Sequence, residues 1–221
     1  MSNDVQTMQR IIRERVTEKV MCSLEHYEAI PSHIDEKNRK SVHYSLEIAG
    51  WAPFHYPRDI NDVSEPWRAY ILWKEEAYQA AKYLVEKLGI KTKEPKLATA
   101  CSALILITWL PEEPSSSFNP DQEVQIKMRN EEHLAASSAM VQNLLLMLTA
   151  YGMGTYWSSG GKLRSPEIFE YLKIPQNESL LAAIFVEYAE MKQIKYNHYE
   201  RKPGAHRNNR SLKWIHEISI L

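Results

Sequence analysis

Apolar and polar residues follow recognisable periods along most of this chain, but one stretch has none. From Leu134 to Ala150 there is no charged residue, and apolar or small side chains fall on every side of a helical wheel. A helix without a polar face cannot meet water, so this segment is expected to be enclosed on all sides. At about 17 residues it approaches the length of a membrane span. Ser137, Ser138, Gln142, Asn143 and Thr149 suit a protein core better than hydrocarbon. Tyr151-Gly152-Met153-Gly154 then breaks the helix, Thr155-Tyr156-Trp157 reads as a short strand, and Ser158-Ser159-Gly160-Gly161 reads as a flexible polar loop.

Elsewhere the periods are plainer. Val5, Met8, Ile11, Ile12, Val16 and Val20 are spaced for an amphipathic helix over 5–24, and Val42, Leu46 and Ala49 mark the inner face of another over 35–50. The segment from Gly50 to Pro66 is irregular and carries Trp51, Phe54, His55 and Tyr56, with Trp67 just beyond. Loops of this length and composition are more often functional than idle. Residues 68–73 predict a strand, and 75–88 a helix closed by Gly89. Residues 103–110 predict a strand apolar on both faces, and therefore central in its sheet. The Pro- and Ser-rich 111–120 reads as a mobile loop, and 121–129 leads into the uncharged helix. Ser165-Pro166-Glu167 has the cap, proline and acid of a helix start, and that helix ends before Pro175. A second buried strand is expected over 180–186, a polar and basic stretch over 192–213, and a last short element at 214–218. Helices and strands interleave without a linker or repeat, which points to one α+β domain with helices around an antiparallel or mixed sheet.

Composition changes little in this picture. The chain has 221 residues, 44% hydrophobic and 25% charged, as in ordinary globular proteins. A net charge of −1 gives no electrostatic case for nucleic acid or an acidic membrane as partner. The first sixteen residues have no apolar core of a signal peptide, so the cytoplasm is the expected compartment. Cys22 and Cys101 cannot make a disulfide framework, and Cys101 opens an apolar run as a small hydrophobe.

Motifs with self-sufficient chemistry are missing. There is no Walker loop, no dinucleotide glycine fingerprint, no His-Glu-x-x-His and no Cys-x-x-Cys. His43 with His55, and His198 with His206, lie too loosely spaced to argue for a metal, and the serine-glycine loop is no nucleophile elbow. The remaining chemistry lies in arginines near both ends: Arg13 and Arg15, then Arg207 and Arg210. The guanidinium fork suits phosphate, although isolated arginines are usually surface residues. Taken with the polar loop and the aromatic-rich 51–67 segment, they favour a flat, phosphorylated ligand.

Four ordered segments resemble the nitroreductase family of homodimeric FMN-dependent oxidoreductases. Ile11-Ile12-Arg13-Glu14-Arg15-Val16 stands where the family has an Arg-Arg-Ser-type phosphate motif. Trp51-Ala52-Pro53-Phe54-His55 with Pro66-Trp67-Arg68 is similar to its Ala-Pro-Ser…Gln-Pro-Trp segment. Ala139 to Leu146, continuing through Tyr151-Gly152-Met153-Gly154-Thr155-Tyr156-Trp157, resembles its central helix and Gly-x-Gly turn. Leu172-Lys173-Ile174-Pro175 with Leu181-Ala182-Ala183-Ile184 matches its passage into the last strand.

The resemblance implies a three-layer α+β fold, a central and mostly antiparallel sheet flanked by helices. It implies one FMN-binding domain over 1–221, with an insertion near 22–36, and a homodimer carrying FMN at two sites across its interface. It also implies ping-pong hydride transfer from NADH or NADPH to a nitroaromatic, quinone or other small conjugated acceptor. By position, Arg13, Glu14 and Arg15 would lie at the phosphate or ribityl chain, and Arg207 and Arg210 at the phosphate. Trp51 and His55 would border the flavin, and Trp157, Ser158, Ser159 and Gly160 would meet it from the opposite side. No catalytic side chain is required, because the redox chemistry is the cofactor's. The chain departs from the family pattern at Glu14, Arg15 and Phe54. Those departures keep two alternatives open: a biosynthetic flavin dehydrogenase or oxidase, and a binding protein without turnover.

Overall fold

A computed structural model describes residues 2–113, 120–194, 197–204 and 213–218. Its centre is a four-stranded sheet built from β2 (Trp67–Trp73), β3 (Ala103–Trp109), β4 (Gly154–Ser158) and β5 (Ser179–Glu187). The spatial order is β2-β3-β5-β4, and every neighbouring pair is antiparallel. The inner strands are apolar on both faces, as expected from 103–110 and 180–186. Ala103 to Ile107 and Ala182 to Ile184 have no exposed surface.

Helices cover both faces. On one side α2 (Ser32–Ala49) and α5 (Pro120–Ala150) pack Val42, Ala49, Met140, Val141, Leu144 and Leu148 onto Ile105, Ile107, Ala182 and Ile184. On the other, α3 (Lys74–Glu86), α4 (Glu94–Ala100) and α6 (Pro166–Leu172) enclose Leu104, Leu106, Ala183 and Phe185. The result is the expected three-layer α+β arrangement. Helix α4 was not expected: at seven residues, with Pro95 in its first turn, it is too short to show a period.

The start of the chain differs from expectation. Helix α1 (Asn3–Glu14) stops at Arg15, which takes an extended conformation, and β1 (Glu18–Met21) follows. Val16 and Val20 are four residues apart, a spacing that both a helix and a strand satisfy, so the pattern alone ran the helix too far. Strand β1 pairs antiparallel with β6 (Glu200–Pro203), which follows α7 (Ala189–Gln193) and lies within the stretch read only as polar and basic. The ribbon is held by packing and by charge: Val20 is buried with Cys22 and Ala100, and Met21 joins the cluster beneath α3 and α4. Arg201 donates to the buried Glu187 carboxylate at 2.6 Å, and Lys192 pairs with Glu18 at 2.8 Å. Trp214 to Ile218 form no regular element, and residues 114–119 of the expected mobile loop lie outside those described.

Helix α5 runs unbroken from Pro120 to Ala150. It is long and apolar enough to cross a membrane by length and composition, yet its inner face packs on the sheet. The expected enclosure on all sides is not reached within one chain. Leu134 is 38% exposed, Ala135 and Gln142 are exposed, and Ala139, Leu146 and Met147 are only half-buried. Helix α1 rests against α5 and leaves its own apolar stripe, Val5, Met8 and Ile12, facing solvent.

A polar knot fixes the start of the 111–113 turn. Arg129 donates to the Glu112 carboxylate at 2.8–3.0 Å, the buried His133 lies 3.0 Å from it, and Asn130 clasps the Glu112 backbone N–H and carbonyl. Arg58 donates to the Leu110 and Pro111 carbonyls, tying the 51–66 segment to the same place. The Arg129 guanidinium holds the Glu112 carboxyl below its ordinary value of 4.5. A carboxyl depressed in this way stabilises the fold above that value, and the contribution is lost as pH falls through the folded-state pKa. Glu112→Gln is therefore expected to destabilise at pH 7 and to converge on the parent as pH falls through the lowered folded-state pKa, as read by urea unfolding across pH. Leu144→Ala, at a fully buried position, is expected to cost about 2–5 kcal/mol in the same assay.

Candidate functional site

Two of the expected segments meet at β4. Thr17 bridges Thr155 in parallel, so the turn after α1 runs beside the start of this edge strand. Arg13 sits exposed in the last turn of α1, and Arg15 caps it half-buried. Neither side chain has a hydrogen-bond or ion-pair partner among the described residues. Glu14 turns to Arg10, 2.7 Å away, and not to either neighbouring arginine. Arg207 and Arg210 lie outside the described residues, but Gly204 donates its N–H to the Thr17 carbonyl, two residues from Arg15. A Cβ at Gly204 would come within 2.9 Å of Thr17, so the close approach requires glycine.

At the far end of β4, about 13 Å away at the usual rise of a strand, Ser158 to Gly161 form a tight loop. Trp157, just before it, is 37% exposed. Ser158 Oγ accepts from the Gly160 N–H at 3.2 Å, and the Gly160 carbonyl accepts from Leu163 N–H at 2.9 Å. The Ser159 carbonyl accepts from Arg164 Nε. Gly160 and Gly161 have φ of 98° and 51°, in the left-handed region that glycine adopts most readily. A Cβ at Gly160 would overlap the buried Leu180 side chain, and one at Gly161 would overlap the Glu94 carboxylate. The loop is therefore rigidly specified, not flexible as its composition suggested.

Trp51 and His55 are elsewhere. Trp51 lies in the turn just after α2, 83% exposed. His55 stands edge-on to Tyr56, with ring centroids 4.6 Å apart. It lines a hollow of about 400 Å³ with Pro53, Phe54, Glu132, Ala135, Ala136 and Ala139 of α5. This segment leads into β2, whereas Trp157 to Gly160 end β4. These are opposite edges of the sheet, three strand spacings or about 14 Å apart. One chain thus presents two separate groups of the expected residues. A larger hollow, about 800 Å³, follows the free edge of β2 past His43, Trp73, Tyr171 and Lys173 and includes none of them.

Sequence reasoning missed Arg164 and Glu94. Arg164 reaches back five residues to the loop, but Glu94 comes from 67 positions away and leaves no local signal. It also missed Lys74, a buried lysine that donates to the Thr99 carbonyl at 2.6 Å and is pulled below its ordinary pKa by burial. Cys101 is fully enclosed and its thiol is pushed up to about 12 by burial, so it is no nucleophile.

An antiparallel sheet between helical layers, with an arginine turn and a glycine loop at the ends of one edge strand, defines a three-layer α+β fold. The family to which it belongs is defined by sequence: the Nitroreductase family model matches residues 38–186, from α2 to the end of β5. The chain belongs to the nitroreductase family. It is 28% identical over 147 residues to YfhC of Bacillus subtilis (strain 168), a protein assigned to the NAD(P)H nitroreductases in name; the match covers 65% of this chain and 70% of that one. Two solved structures share the fold. A Desulfovibrio desulfuricans protein in complex with FMN superposes with a TM-score of 0.60 at 19% identity, over 100% of both chains. Nitroreductase CinD of Lactococcus lactis, in complex with nicotinic acid, gives 0.60 at 11% identity over 96% of this chain and 100% of its own. At these identities the structural likeness is one of fold.

Gly160→Val would need both a left-handed β-branched residue and space held by Leu180. It is expected to lower stability by about 2–4 kcal/mol. Gly89→Ala, also at a positive φ (64°) but with open space around it, is expected to cost about 1 kcal/mol. Thermal melts of the two variants check the difference.

Proposed function

We propose that this protein is a flavoprotein oxidoreductase that binds FMN and passes hydride from NADH or NADPH to a small aromatic or conjugated acceptor. The observation carrying this reading is the pairing of the Arg13–Arg15 turn with the Ser158–Gly161 loop at the two ends of β4. The spacing suits a ligand with an anionic phosphate at one end and a flat ring at the other. The family assignment and the FMN complex of the D. desulfuricans protein support it.

The residues present fit such a cofactor. Arg13 and Arg15 supply cationic forks without a partner among the described residues, and Gly204 ties the segment before Arg207 and Arg210 to the same turn. Glycines at 160 and 161 keep the second half of the loop free of Cβ atoms. Glu14, the departure that argued most against phosphate, is neutralised by Arg10. FMN, when bound, supplies hydride exchange at its N5 atom. The protein's part is to hold the phosphate through the arginines, to orient the ring against the loop, and to exclude water.

Two copies complete the site in this reading. The uncovered apolar faces of α1 and α5 give the area for a homodimer, and a partner's Pro53–His55 segment would face the loop that its own chain does not reach. Purified protein is expected to show flavin absorbance that bleaches anaerobically with NADH or NADPH, and to run as a dimer in light scattering. A colourless protein that takes up no added FMN would refute the assignment. Arg13→Gln and Arg15→Gln are each expected to raise the FMN dissociation constant roughly tenfold, the effect of losing one charge-assisted hydrogen bond, measured by flavin fluorescence.

A further inference from the structure

The loop proposed to meet the flavin does not set its own shape. Of its three carbonyls from Ser158 to Gly160, two are committed to groups outside it or at its base: Ser159 O to Arg164 Nε, and Gly160 O to Leu163 N–H. With Gly160 N–H turned onto Ser158 Oγ, the peptide plane between Ser159 and Gly160 is fixed at both ends. The N–H groups of Ser159 and Gly161 accept no such commitment among the described residues. On the opposite side Glu94, in the first turn of α4, lays its carboxylate where a Cβ of Gly161 would stand, and Thr92 donates to that carboxylate. A cation and an anion from two different elements thus hold the loop from two sides.

We propose that Arg164 and Glu94 are positioning residues for the flavin ring, holding the Ser158–Gly161 backbone so that the Ser159 and Gly161 N–H groups stay available to it. This rests on the reading that the loop meets FMN. Neither side chain needs to touch the ring. Arg164 acts through the Ser159–Gly160 peptide, and Glu94 by filling the space over Gly161.

Their opposite charges give the proposal a signature that a purely structural role lacks. Reduction adds negative charge to the ring, and a fixed charge nearby changes the cost of that addition. Glu94 disfavours the reduced form and Arg164 favours it. Glu94→Gln keeps the side-chain shape and removes the charge, so it is expected to move the FMN midpoint potential to more positive values. Arg164→Gln is expected to move it to more negative values and to slow anaerobic reduction by NADPH about tenfold, the scale of a misplaced backbone donor. Arg164→Lys restores the charge without the fixed Nε geometry. It is expected to recover the potential but not the rate.

The experiment is spectroelectrochemical titration of the FMN-loaded dimer and its three variants, with melting curves and FMN dissociation constants measured alongside. Potentials that do not move, or that move in the same direction in Glu94→Gln and Arg164→Gln, overturn the proposal. So does an Arg164→Lys variant equal to the parent in both readouts. A parent protein that binds no FMN fails earlier, at the assignment of function, and that failure is read from its spectrum alone. Should Arg164→Gln not fold, the positive shift in Glu94→Gln remains the deciding measurement.

Discussion

Two central strands with no side facing water govern this molecule. Because β3 and β5 are apolar on both faces, each needs a helical layer above and below it, and no two-layer arrangement would serve. That requirement places α2 and α5 on one side and α3, α4 and α6 on the other. It also leaves β2 and β4 as the sheet's edges, and the features with chemical capacity gather at those edges, where backbone and loops are open to a ligand.

The legible parts of the sequence were those with a strong period. Strands β3 and β5, helices α2, α3 and α6, and the turn after α5 all follow from spacing and capping residues. The ribbon was not legible, because β1 and β6 are only four residues each, without hydrophobic alternation, and part of what holds them is charge between Arg201 and Glu187 and between Lys192 and Glu18. Charge pairs between distant residues leave no trace in a local pattern. The end of α1 failed for a different reason: a spacing of four serves helix and strand alike.

The same division applies to the site. Ser158 to Gly160 announced themselves by composition after a broken helix, and Arg13 and Arg15 by charge. That both lie along β4 could not be read without the Thr17–Thr155 bridge. Glycine content suggested flexibility where the structure has constraint, since Gly160 and Gly161 are required by their φ values and by Leu180 and Glu94. Helix α5 is the remaining case. Its uncharged surface implied enclosure from every direction, and one chain supplies only part of it. Leu134 and Gln142 stay exposed, and Ala139, Leu146 and Met147 stay half-buried.

The β1–β6 ribbon has a consequence for how the molecule reaches its final form. Its two strands are separated by nearly the whole chain, on the order of 180 residues, so its closure is entropically the most demanding contact in the fold. What offsets that cost, Val20 and Met21 packing on the body and Arg201 pairing with Glu187, requires α4 and the end of β5 to be in place. The three-layer body can therefore assemble first and the ribbon last. Since the ribbon brings Gly204 to Thr17, the turn after Arg15 is completed at the close of folding, on a scaffold whose Ser158–Gly161 loop is already built.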